Sequence, residues 1–175
     1  MKQFTILLLI LITTQLNAKM LISPFDAMKA NFGAKTKIVK KNILLTNEEA
    51  KNIQKIAKIK LKSKIFKTFK AITGKKTIGY GIIINRKVRS KNAVVLYMIS
   101  KDSVLKSMEI IAFNEPMEYI PSKTWQEQFK DIPTTKKLRL NKEIPTISGA
   151  TLSAKSIVDG SRVAFAFYDE VLKGK

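Results

Sequence analysis

The chain has 175 residues, with 33 lysines and arginines against 13 aspartates and glutamates, a formal net charge of +20, and neither cysteine nor histidine. The missing cysteine excludes disulfides, thiolate-held iron–sulfur clusters and a thiol nucleophile, and the missing histidine excludes histidine-ligated haem, the usual zinc triads and Ser-His-Asp catalysis. Redox work in such a chain falls to an organic cofactor, and the length suits one domain with a real core.

In chain order, Met1-Lys2-Gln3 supplies a positive charge, the run from Phe4 to Ile12 is almost wholly apolar, and a polar stretch follows with Leu16 and Ala18 three residues and one residue before a cleavage point. This is the layout of a secretory signal peptide over 1–18, because the apolar run is far shorter than the about 20 residues that span a bilayer. Residues 19–175 are then a single exported domain. Ser23-Pro24-Phe25-Asp26 predicts a helix by its hydroxyl cap, its proline in the first turn and its early acid, with Met28 and Phe32 on one face and Gly33 at the end. Thr36 to Leu45 reads as a basic strand, and Thr46-Asn47-Glu48-Glu49 as a capping box opening a helix with Ala50, Ile53, Ile56 and Ala57 inward. Around Ile65, Phe66 and Phe69 the periodicity allows strand or helix.

The middle reads as antiparallel sheet. Gly79 to Ile84 is one strand, Asn85 to Asn92 a basic turn, Ala93 to Ile99 a second strand and Val104 to Phe113 a third. Trp125 and Phe129, spaced i to i+4, would pack a short helix on the core. From Ser153, a plausible N-cap, a helix turns Ile157, Ala164, Phe165, Tyr168, Val171 and Leu172 to one apolar face.

Just ahead of that helix stands Ser148-Gly149-Ala150-Thr151-Leu152-Ser153. The segment resembles the flavin-attachment motif of the FMN-binding domain family, which includes the flavin subunits of Rnf and sodium-pumping quinone reductase complexes. There the last residue of Ser-Gly-Ala-Thr carries FMN through a phosphoester, so the resemblance implies covalent FMN on Thr151. Gly149 supplies positive φ or close approach, and Ala150 keeps bulk away from the hydroxyl. The helix start favours a phosphate, with Lys155 one turn on as counter-charge. The Gly-Tyr opening at Gly79 and the two strands around a polar turn also look like the family's central sheet. Loose matches to its Glu- and Pro-containing loop and to the aromatic-x-x-Gln-Phe segment after it imply Glu115, Met117 and Trp125 as candidates to line the isoalloxazine ring. In place of the acid that the family usually carries three residues before the motif, this chain has Pro145.

The resemblance covers 46–175 and implies an α+β fold, a small antiparallel sheet flanked by helices with a C-terminal helix after the attachment loop. It further implies a flavin transferase that takes FMN from FAD, using magnesium, and releases AMP. The reading is an exported flavoprotein that passes electrons between a membrane donor and a periplasmic acceptor. Two alternatives stay open: a reductase of a small substrate, with Glu115, Tyr119 or a lysine as proton donor, or a flavin-free basic binding module. Lysines 35 to 76 number fourteen against only Glu48 and Glu49. A subset of them would steer an acidic redox partner, whereas the leader and the lack of any reader motif argue against nucleic acid.

Overall fold

Alternation of buried and exposed residues decides the element between 65 and 73 that periodicity left ambiguous. In the computed structural model, which describes residues 20–175, it is a strand whose successive side chains serve opposite faces of one sheet. The expected signal peptide lies outside the described residues.

The elements follow one another as α1 (Pro24–Phe32), β1 (Lys37–Leu44), α2 (Asn47–Ala57), β2 (Ile65–Thr73), β3 (Lys76–Lys87), β4 (Asn92–Ser100) and β5 (Val104–Phe113). A 3₁₀ turn at Met117–Tyr119, α3 (Lys123–Glu127), a short β6 (Ile132–Pro133) and α4 (Thr151–Phe167) complete the order, and α4 runs on through a π-helical turn, Tyr168–Leu172. The six strands pair in sequence order, every neighbour antiparallel. Only α2 interrupts the meander between its first two strands, and α3 before its last. This is an α+β fold with a C-terminal helix, as expected.

Each face of the sheet has its own core. On one face, Phe66, Ile82, Ile84, Val95 and Tyr97 pack beneath α2 and α4, with Phe66 stacked on Phe167 at 4.4 Å. On the other, Phe69, Ala71, Leu96 and Met98 pack beneath α1, and Phe69 meets Phe25 edge-on at 5.3 Å. Gly79 and Gly81 make room for this second layer. A Cβ on Gly79 would strike the Phe32 ring, and one on Gly81 the Met28 sulfur. β3 starts at Lys76, three residues before the expected Gly79, and its Gly-x-Gly is a seat for α1.

Local capping signals hold. Ser23 Oγ accepts from the Phe25 N–H at 3.2 Å, and Thr46 and Glu49 exchange both bonds of the capping box. Four expectations need correction. Ile56 is 58% exposed, because the buried stripe of α2 runs through Ala50, Ile53 and Ala57, and the residue before Ala57 points about 100° away from it. The turn expected over 85–92 shrinks to 88–91, since β3 continues to Lys87, which pairs with Asn92. Ser153 caps nothing: α4 starts two residues earlier, with Ala150 at the N-cap and Ser153 buried inside the first turn. Finally, α4 buries more than one stripe. Val158, Val163, Ala166 and Phe167 are buried along with the expected face, because the helix lies against both the sheet and α2.

β1 forms one edge of the sheet and turns Lys37, Lys40 and Lys41 to solvent. No helix among the described residues is long and apolar enough to cross a membrane.

Candidate functional site

The segment leading into α4 is held from several sides. Arg139 grips Glu143 through Nε (3.1 Å) and Nη2 (2.6 Å), and this bond to the guanidinium draws the Glu143 carboxyl down to about 2. Next, the indole Nε1 of buried Trp125 donates to the Pro145 carbonyl at 2.9 Å. Gly149 then turns the chain with φ +79°, and an added Cβ there would meet nothing within 4 Å. Its requirement is conformational and not one of space. The Ala150 N–H closes the turn on the Ile147 carbonyl at 3.1 Å.

Thr151 is the first residue of α4 and is exposed, its Oγ1 donating to the Ile147 carbonyl at 3.1 Å. The other α-helices open on a hydroxyl that accepts a first-turn amide, from Ser23, Thr46 and Ser122. The longest one, α4, has no side-chain cap. Its first amides have no partner within the helix and leave a place for an oxygen acceptor.

This helix start forms one wall of an open cavity of about 200 Å³. Gly149 to Ser153 line it on one side, with Val88 and Arg89 of the β3–β4 turn, Glu115 and Tyr119 on the other. Glu115 is 6% exposed and accepts from the backbone N–H groups of Lys91 (2.6 Å), Ser90 (2.6 Å) and Arg89 (3.0 Å), and from the Ser90 hydroxyl (3.1 Å). These bonds, the one from Lys91 foremost, hold its carboxyl below the usual range. It is a clamp on the turn, and a carboxylate so held is a poor proton donor.

Of the residues singled out in the sequence for the flavin site, Thr151, Gly149, Ala150, Leu152, Ser153 and Glu115 come together around the cavity, as does Tyr119, a candidate proton donor of the alternative reading. Four do not. Ser148 is exposed at its margin. Lys155 is bonded to Asp159 at 2.9 Å, a carboxylate that Arg86 (3.5 Å) and Arg162 (3.6 Å) share. Met117 stands half-exposed on the 3₁₀ turn, and Trp125 packs against Phe129 at 5.2 Å while holding the loop. The cation beside the helix start is instead Arg89. Nothing near Arg89 in the sequence marks it, since its place depends on the β3–β4 register.

No family model matches this chain, and no curated protein matches it.

Proposed function

We propose that the protein carries FMN as a phosphoester on Thr151 and serves as an exported electron carrier. The reading rests on one juxtaposition. The motif's hydroxyl is solvent-accessible at the one helix start among the described α-helices that lacks a side-chain cap, and that start opens on a cavity.

The donor set suits the phosphate end of the cofactor: the Thr151 Oγ for the ester, the free first-turn amides of α4, and Arg89. The cavity is smaller than the about 300–1,000 Å³ of pockets that enclose a ligand, so most of an isoalloxazine would lie outside it. Exposed Leu152, next to the attachment residue, offers apolar surface there. Bound FMN would supply one- and two-electron transfer. A tether through the phosphate keeps it from diffusing away while leaving a ring edge open to partners. A flavin transferase would load it, and a membrane donor and a periplasmic acceptor would exchange electrons with it.

The test is the intact mass of protein from its exported location, with absorbance read after denaturation and desalting. We expect an FMN-sized increment and flavin absorbance, both lost in Thr151→Ala. An increment that persists in Thr151→Ala would place the linkage on another residue, and an unmodified native protein would end the covalent-flavin reading.

A further inference from the structure

A second cavity, of about 270 Å³, lies between the α2–β2 connection, the start of β2, the end of β3 and the middle of α4. Lys60, Lys62, Lys67, Arg86 and Lys87 line it, and no acidic residue does. Its remaining wall is largely apolar, with Leu61, Phe66, Ile84 and Val163. Like charges gathered around one hollow repel one another, and the repulsion is relieved when an anion enters. Arg86, on the cavity wall, is incompletely paired. Its Nη2 reaches Asp159 at a long 3.5 Å, while its Nε is buried with no hydrogen-bond acceptor at all.

An apolar spot lies beside the cavity, on the other face of the sheet. Ile65, which lines the cavity, is 62% exposed and pairs across the strands with Leu44, which is 71% exposed. Two large apolar side chains directly opposite one another present a single greasy spot. Lys40, Lys41, Lys64 and Lys67 flank the pair along the chain, all exposed.

We propose that this cavity binds an alkyl phosphate, the phosphate held by the lysine and arginine cluster and the chain laid over the apolar wall of Leu61, Phe66, Ile84 and Val163. Phosphate fits better than carboxylate because its oxygens can serve a guanidinium and several ammonium groups at once. The ligand's source is either a phospholipid in a bilayer or a free amphiphile.

Calorimetric titration of the whole protein with dodecyl phosphate, below its micelle concentration, tests the proposal. One site should fill, inorganic phosphate should bind about tenfold or more weaker for want of a buried chain, and uncharged dodecyl maltoside should not bind. Lys62→Glu/Lys67→Glu should weaken binding about tenfold or more, the loss expected for a charge-assisted contact. Lys136→Glu/Lys137→Glu, with the same charge change outside the cavity, should shift it less than about twofold. Dodecyl phosphate should also move the Arg86 Nε–H resonance. Equal weakening by both double variants, equal binding of the maltoside, no binding, or an unmoved Arg86 signal would each overturn the proposal. Phosphatidylglycerol and phosphatidylcholine vesicles separate the sources. Retention on the former alone, lost in Lys62→Glu/Lys67→Glu, supports a bilayer lipid, and binding of monomer without vesicle retention supports a free amphiphile.

Discussion

A hydroxyl that donates to the Ile147 carbonyl cannot keep doing so once it is an ester oxygen, because the proton is gone. Flavin loading at Thr151, as proposed, would therefore exchange one exposed hydrogen bond for contacts of the phosphate with the α4 amides and Arg89. Its removal in Thr151→Ala should shift stability by no more than about 0.5 kcal/mol, checked by urea denaturation. Pro145 is the second residue of interest. Its contribution to the fold is a backbone carbonyl, which any residue can offer to Trp125 Nε1. Pro145→Asp should thus leave the loop intact and raise flavin occupancy when a generic transferase acts on it, measured by intact mass. Equal occupancy in both forms would show that the position is not read. At the residue level, six of the ten candidates for the flavin site surround one cavity. Lys155 misled because a helical neighbour one turn on, Asp159, claims it. Arg89 was invisible because contacts distant in sequence, among them the bonds from its turn to Glu115, place it beside the motif.

At the scale of elements, α4 is fixed against the sheet by contacts without slack. The fully buried Tyr97 hydroxyl donates to the Ile157 carbonyl at 2.7 Å, and burial pushes its pKa far above the usual phenol range. A Cβ on Gly160 would collide with that same hydroxyl. Gly160→Ala should destabilise the protein by about 1–3 kcal/mol, the usual cost of overpacking. Part of the loss should return in a Tyr97→Phe background, a coupling that a double-mutant cycle reads directly. The β3–β4 turn depends in turn on Glu115. Its carboxyl is held below its unfolded value, so it stabilises the native state above the unfolded pKa, and this support is lost as pH falls through the lower, folded pKa. Glu115→Gln should lower the Tm at neutral pH and flatten its decline in acid, followed by thermal melts across that range. The start of α4 was misread for a physical reason. Ser153 has the chemistry of a cap, but the positive φ of Gly149 bends the chain earlier and draws Ser153 into the helix. Thr46 and Glu49, by contrast, interact only with each other's backbone, so their capping box was legible from the sequence alone.

Over the whole molecule the basic excess is a surface property. All fourteen lysines between Lys35 and Lys76 except Lys70 are exposed, and none takes part in an ion pair among the described residues. Unpaired charge of one sign acts at a distance, and its reach is about 8 Å at physiological salt. If it steers an acidic redox partner, the association rate should fall steeply with ionic strength while electron transfer within the bound pair stays constant. Reversing Lys37, Lys40, Lys51 and Lys55 to glutamate should slow exchange at low salt and matter less at high salt. Reversing Lys136, Lys137, Lys142 and Lys175 should do less. Stopped-flow rates that ignore both salt and the reversals would mark the charge as compositional.

The edge strand β1 has a consequence of another kind. Among the described residues no strand lies beside its outer backbone groups, which makes it a template on which a second copy's edge could zip into a continuous sheet. A two-fold antiparallel pairing of β1 with its copy about Lys40 and Lys41 would set those lysines against each other, so each molecule repels its own likeness at the place where it is most adhesive. This protection is electrostatic and fades when salt screens it. Concentrated stocks should therefore stay dispersed in dilute buffer and self-associate as salt rises, the reverse of a partner complex held by opposite charges.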